Sequence, residues 1–221
     1  MNFSVSEENY IKSIYHLQQE TGLVNTNSLA AEMQTKAASV TDMLKKLSNK
    51  KILQYEKYKG FKLTENGKRV ALSVVRKHRL WEYFLVEKLG FEWDKVHEIA
   101  EELEHISSNE LIERLQEFLG SPLFDPHGDP IPDSNGKIPK LIQLNLTVLP
   151  VNKTAVVSSV TNQSPQMLEM LKHYFISIGT PVKVLKRFEF DGSLEIKISK
   201  QPACTISELI AKNIFVRYDD K

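Results

Sequence analysis

The sequence predicts an α+β fold in which two helical segments precede a small β module. Three observations carry that prediction. Apolar residues recur at helical spacing through the first half of the chain, the run GSPLFDPHGDPIPDSNGKIP then breaks all regularity, and from Leu141 onward the apolar residues alternate with a period of two. The segments implied are 1–72, a winged helix-turn-helix; 73–140, a helical segment ending in a Pro/Gly-rich linker; and 141–221, an SH3-like small β-barrel.

The elements follow in order. Ser6 is a candidate N-cap for a helix carrying Tyr10, Ile11, Ile14 and Leu17 on one side. NTNSLAAEM forms a short helix, QTKA a turn, and ASVTDMLKKLSNKK a second helix with Val40, Met43, Leu44 and Leu47 at i, i+3, i+4 and i+7. Two short strands then flank Lys59-Gly60, and Thr64 caps a long helix over residues 65–90. FEWDKVHEIAEELEHISSNELIERLQEFL supplies two more helices. Leu72, Val75, Leu80, Phe84, Leu85, Leu115 and Phe118 exceed the apolar surface that three short helices need, which predicts pairing with a second copy of the chain. In the last segment IQLNLTVL, PVKVLKRFEF, SLEIKIS and NIFVRY read as strands of a five-stranded barrel, interrupted by the helix SPQMLEMLKHYFIS.

Composition narrows the function classes. Cys204 is the only cysteine, so no intramolecular disulfide forms, and MNFSVSEENY lacks the pattern of a secretory signal. No apolar run approaches the ~20 residues of a membrane span. These features place the chain in the cytoplasm. Its net charge of +1 conceals an asymmetry: residues 1–80 carry 14 Lys/Arg against 7 Asp/Glu, residues 81–140 carry 5 against 14, and residues 141–221 carry 10 against 7. Eight lysines fall between Lys36 and Lys62, opposed by Asp42 and Glu56 alone. A basic first third built as helix, turn, helix and wing fits nucleic-acid binding.

Residues 97–105, HEIAEELEH, carry a second signal. At about 100° per residue, His97, Glu101, Glu104 and His105 share an arc of roughly 100°, opposite Val96, Ile99, Ala100, Leu103 and Ile106. The preceding helix sets His78 and Glu82 at i and i+4. Each group alone fits a solvated acidic face or a surface ion pair. Together, after a winged helix, they favour a metal site. His127, alone in the Pro/Gly-rich run, reads as structural or solvated.

The order of these elements, with ENYIKSIY, ASVTDMLKKL, YKGFKLTENG, RKHRLWEYFL, KVHEIAEELEH and FDPHGDPIP, resembles the diphtheria toxin repressor family of iron- and manganese-dependent transcriptional regulators over essentially the whole chain. The resemblance implies a homodimer that binds operator DNA, two metal sites per subunit and an SH3-like (FeoA-type) third domain. His78, Glu82 and His97 match the ancillary site. Glu101, Glu104 and His105 match the primary site, which a first-helix side chain completes; Asn9 stands at that position with Glu8 beside it. Iron-type members carry methionine in the first helix and cysteine at the position of Glu101, whereas manganese-type members carry an acid at each. Asn9 with Glu101 matches neither type fully, and Glu101 leans toward manganese. Gln163, Gln166 and Glu169 are further candidate ligands from the third domain.

Carboxylate, amide and imidazole donors without thiolate suit Mn²⁺ or Fe²⁺. At the DNA surface, Ser39, Thr41 and Asp42 are expected on base edges and Lys36, Lys45 and Lys59 on phosphates. The function expected is a metal-dependent repressor of metal-uptake genes rather than an enzyme. Two alternatives stand beside it: a metal-independent winged-helix regulator answering a small organic ligand, and a di-iron carboxylate protein. Glu102-Leu-Glu-His105 satisfies Glu-x-x-His for the latter, but no second such motif occurs.

Overall fold

Ser4, not Ser6, starts the first helix. In the computed structural model, which describes residues 3–56, 60–140 and 142–218, helix α1 (Val5–Thr21) opens on a capping box: Glu7 N donates to Ser4 Oγ at 3.3 Å and Ser4 N to Glu7 Oε2 at 2.8 Å. Ser4-x-x-Glu7 satisfies two N-terminal donors reciprocally, whereas Ser6 has Asn9 three residues on and cannot complete the same box. Helix α2 (Thr26–Glu32) is capped by Asn25, and α3 (Ala37–Asn49) follows a short turn.

Strands β1 (Leu53–Glu56) and β2 (Gly60–Leu63) pair antiparallel, Leu53 opposite Leu63. Val24 joins them through two backbone hydrogen bonds with Phe61, each 2.9 Å. A Cβ on Gly60 would meet the Val24 carbonyl oxygen at 2.4 Å, and its φ of +131° lies where side chains are disfavoured, so the close approach requires glycine. Lys59 lies outside the described residues. Thr64 caps α4 (Glu65–Glu87) as expected, its Oγ1 accepting from Gly67 N at 3.1 Å.

After a 3₁₀ turn at Trp93–Lys95 come α5 (His97–Leu103) and α6 (Asn109–Phe118). Helix α5 stops before Glu104 and His105, which lie in a turn. The helical arc drawn through His105 therefore breaks at its last two members, and Glu104 ends up fully buried.

The chain forms two compact units. The first comprises Met1–Trp81, Glu101–Leu115 and Pro132–Ile138. Its core gathers Tyr10, Ile11, Ile14, Leu29, Leu47 and Phe61, with Val40 and Leu44 from α3. Side chains of this size each contribute about 1.5–3 kcal/mol when fully buried. The second comprises Glu82–Ala100, Gln116–Ile131 and Pro139–Lys221. It holds an antiparallel sheet of β3 (Leu144–Asn145), β4 (Thr154–Val160), β5 (Pro181–Arg187), β6 (Leu194–Ile198), β7 (Cys204–Ile206) and β8 (Ile214–Arg217), in the order β3-β8-β4-β5-β6-β7.

The five-stranded barrel is thus replaced by an open six-stranded sheet. IQLNLTVL gives only the two residues of β3, because Asn145 Oδ1 accepts from Thr147 N at 3.0 Å and starts a 3₁₀ turn at Leu146–Val148. Strand β4 escaped the sequence reading because its last four residues are all buried, which erases the alternation. Helix α7 (Pro165–His173) covers the sheet core through Met167, Leu168 and Leu171, and α8 (Glu208–Lys212) is a short addition.

The apolar surplus is smaller than the sequence suggested. Val75, Leu80, Leu85 and Leu115 are buried within the chain. In the second unit Leu89, Phe91, Phe118 and Leu123 remain exposed.

Candidate metal centre and DNA-facing helix

In the first unit, carboxylates and imidazoles from three parts of the chain converge on Glu104. His78, on α4, places Nδ1 2.6 Å from Glu104 Oε2. Lys12, on α1, places Nζ 2.7 Å from Glu104 Oε1, 2.9 Å from Oε2 and 3.4 Å from Glu101 Oε1. His105 lies between Glu8, 2.6 Å from its Nδ1, and Glu104, 3.7 Å from its Nε2. Lys77 Nζ stands 4.0 Å from Glu8.

These positions follow from local structure. Glu8 and Lys12 are one turn apart on α1, while the end of α5 at Leu103 lets Glu104 turn inward and leaves Glu101 half exposed on the helix. Burial alone would raise the Glu104 pKa, but the His78 hydrogen bond and the Lys12 charge outweigh it and hold the carboxylate below its ordinary value. The Lys77 ammonium is pushed down by burial, in part offset by Glu8 and Glu104.

Asn9 is half-buried on α1, and Glu8 beside it is the residue that reaches His105. With Nδ1–H donating to Glu8, Nε2 of His105 faces Glu104. Glu104 thus lies 3.7 Å from His105 Nε2 and shares the Lys12 ammonium with Glu101. A donor set of hard oxygens and one imidazole nitrogen fits Mn²⁺ or Fe²⁺.

The second unit gathers a cluster around Glu82, whose side chain is 1 % exposed. Its Oε1 lies 3.3 Å from His97 Nδ1 and its Oε2 3.6 Å from His127 Nδ1. One ligand atom each from Glu82, Asp125 and His127 lie within 4.8 Å of one another, all three residues being buried. His127 donates Nε2–H to the Trp93 carbonyl at 2.9 Å and stacks on the Trp93 ring. Burial would lower the His127 pKa, but Glu82, Asp125 and the Trp93 carbonyl overcome it and push it up to about 9.

Asp125 was not singled out in the sequence, and His127, read there as structural or solvated, is buried beside it. The loop that carries them is not a free linker: Asp125 Oδ1 accepts from His127 N at 2.8 Å and Asp129 N at 2.9 Å, and His127 O accepts from Val160 N at 3.1 Å. A Cβ on Gly128 would meet the Ser158 carbonyl oxygen at 1.9 Å, so glycine is what lets the loop lie against β4. The available signal was the Asx-type spacing in Asp-Pro-His-Gly-Asp, which predicts a self-bonded turn. Among the third-segment candidates, Gln163 donates to Asp129 Oδ2 at 2.9 Å, whereas Gln166 and Glu169 are exposed on α7.

Helix α3 presents the outward residues expected of it. Val40, Leu44 and Leu47 are buried, while Lys36, Ser39, Thr41, Asp42 and Lys45 are exposed. Lys45 pairs with Asp42 at 3.3 Å, and Thr41 Oγ1 donates to the Ala37 carbonyl at 2.9 Å. Of the nearby lysines, Lys50 pairs with Glu7 and Lys62 with Glu56, each at 2.7 Å.

Three family models match consecutive stretches. Residues 2–61 match the iron-dependent repressor N-terminal DNA-binding domain, residues 64–133 the iron-dependent repressor metal-binding and dimerisation domain, and residues 144–218 the FeoA domain. The iron-dependent repressor IdeR of Mycobacterium bovis is 32% identical over 125 residues, which are 57% of this chain and 54% of that repressor, so the match spans about half of the relative's length. The transcriptional regulator MntR of Oceanobacillus iheyensis is 35% identical over 114 residues, covering 52% of this chain and 77% of that regulator. A solved manganese-dependent transcriptional repressor in complex with manganese superposes with a TM-score of 0.85 at 33% identity, covering 96% of this chain and 99% of that one.

Proposed function

The chain belongs to the iron-dependent (diphtheria toxin) repressor family, and from that premise we propose that it is a dimeric, divalent-metal-responsive DNA-binding regulator that represses metal-uptake genes in the cytoplasm and catalyses no reaction. The observation that carries this reading is the buried Glu104 carboxylate meeting side chains from α1 and α4 while Glu101 and His105 stand on either side of it.

Glu101, Glu104 and His105 would hold the primary ion, with Glu8 orienting His105 and Asn9 near enough in sequence to add an amide oxygen. His78, Glu82 and His97 would be the ancillary ligand set, as their sequence positions imply; Asp125 and His127, beside Glu82, would be additional donors, and Gln163, Gln166 and Glu169 are further candidates. Absence of thiolate among all these donors favours Mn²⁺ or Fe²⁺. The segments 1–72, 73–140 and 141–221 serve DNA binding, dimerisation with metal binding, and an SH3-like module. Among the described residues no helix is long and apolar enough to cross a membrane.

A bound divalent cation supplies positive charge that neutralises the clustered carboxylates. What the protein supplies is the link from that cluster to DNA: α1 carries Glu8 and packs with α3 in one core. The angle of α1 thus governs where α3 points. Two recognition helices of a dimer must lie roughly 34 Å apart, or a multiple of it, to enter successive major grooves. Metal shifts the population toward that spacing only by its differential affinity for the two states. Ser39, Thr41 and Asp42 would then face bases, and Lys36, Lys45 and Lys59 phosphates.

Anaerobic titration of Mn²⁺ and Fe²⁺ into the chelated protein with promoter DNA tests the reading. Binding should appear with metal and vanish with chelator. Affinity that is unchanged by thorough chelation overturns it.

A further inference from the structure

Lys12 sits where a metal would. Its Nζ lies almost equally far from the two oxygens of Glu104, at 2.7 and 2.9 Å, and 3.4 Å from an oxygen of Glu101. Its side chain is 13% exposed and Glu104 is fully buried, so this is not a solvated surface pair. A divalent ion chelated by the same oxygens would stand within about 2.0–2.6 Å of them. The ammonium and the ion cannot share that space, and two positive charges so close would repel each other strongly.

We propose that Lys12 is a tethered cation that holds the Glu101–Glu104 seat in the metal-free protein and must swing out before a divalent ion engages those carboxylates. This inference rests on the metal-binding reading of Glu101, Glu104 and His105. Lys12 thereby sets the affinity threshold. It satisfies the buried Glu104 when metal is scarce, which keeps α1 docked, and every ion that binds must first break that pair. Lysine suits this role because its four methylenes carry a compact charge that can leave along the stem's own torsions, whereas an arginine fork would grip the carboxylate in two directions.

Two measurements on the full chain test it. Lys12→Met keeps the stem and removes the charge. By equilibrium dialysis with Mn²⁺ alone, the variant should bind at least about tenfold tighter than wild type, while its chelated form melts at a lower temperature. In the unaltered protein, acylation of Lys12 by acetic anhydride, read by mass spectrometry, should be slow under chelation and faster with saturating Mn²⁺; this readout stands even if the variant does not fold. Equal or weaker Mn²⁺ binding by a folded Lys12→Met, or a Lys12 acylation rate indifferent to Mn²⁺ while wild type binds the ion, overturns the inference and leaves the metal-binding reading intact. If wild type and variant both fail to bind Mn²⁺, the metal-binding reading falls and this inference falls with it.

Discussion

Nδ1 of His105 and Oε2 of Glu8 lie 2.6 Å apart across 97 positions of sequence. The contact fixes the tautomer of His105 with its proton on Nδ1, which turns Nε2 toward Glu104. It also fastens α1 to the turn that follows α5. One hydrogen bond therefore orients the imidazole proposed as a metal donor and ties it to the helix packed with α3 in one core.

From this follows a ranking of the two first-helix residues. Glu8→Ala should weaken Mn²⁺ binding by about 10–100-fold, the usual loss when an orienting partner of a metal-ligating histidine is removed. Asn9→Ala should change it less. Calorimetric titration of both variants is the check; the reverse order would assign Asn9 as a ligand and leave Glu8 a helix-docking residue.

Part of this centre was legible in the sequence and part was not, for physical reasons. Val40, Leu44 and Leu47 betray α3 because one stripe faces one core, and Thr64 betrays the start of α4 because a cap acts within three residues. Glu101, Glu104 and His105 were named as candidate donors from a shared helical arc, and that arc set Glu104 opposite the apolar stripe. Its burial depends on α5 stopping at Leu103, which no short-range signal announces. Lys12 escaped because its partner Glu104 is 92 positions away in sequence.

The burial of Glu104 changes what its removal should do. From the helical arc alone, Glu104→Ala would leave a folded dimer. In the structure it would strip Lys12 and His78 of their shared acceptor, and breaking a buried pair costs about 3–5 kcal/mol. Glu104→Gln keeps the volume and one carbonyl acceptor, so it should fold yet lose Mn²⁺ binding. Thermal melts in chelator together with Mn²⁺ titration distinguish the two; a Glu104→Ala variant as stable as wild type would show the side chain to be solvated.

Glu7 offers a pH signature independent of metal in origin. Burial opposes its ionisation, but the Lys50 hydrogen bond and charge, with the Ser4 contacts, prevail and lower its pKa from 4.5. A carboxylate with a lowered folded pKa stabilises the protein above its unfolded pKa and loses that contribution as pH falls through the folded one. Glu7→Gln retains an oxygen for Ser4 N and should cost about 1 kcal/mol at pH 7. The gap between the variant and wild type in urea melts should close progressively below pH 4.5. A gap constant down to about pH 3, on the order of a unit below the ordinary carboxylate value, would assign the loss to packing.

Lys45 is exposed on α3 beside Asp42. Lys45→Ala should weaken binding to all DNA sequences alike and reduce the salt slope by about 1, as the loss of one phosphate contact does. A loss confined to one operator position would instead make Lys45 a base reader.

The choice of metal is expected to turn on Glu101. It lies one helical turn before His105 in sequence, half exposed, and shares the Lys12 ammonium with Glu104. As a glutamate it adds a hard oxygen suited to Mn²⁺, whereas a thiolate at the same position would favour Fe²⁺, Co²⁺ or Zn²⁺. Glu101→Cys also removes a carboxylate that neutralises Lys12, yet Glu104 keeps that ammonium paired at 2.7 Å, so the fold should hold. Half-maximal Mn²⁺ for DNA binding should rise by about tenfold or more while that for Co²⁺ and Zn²⁺ falls, with the preferred operator unchanged. Superimposable Mn²⁺ and Co²⁺ response curves for variant and wild type would remove Glu101 from the ligand set and leave Glu104 and His105 to hold the ion with other partners.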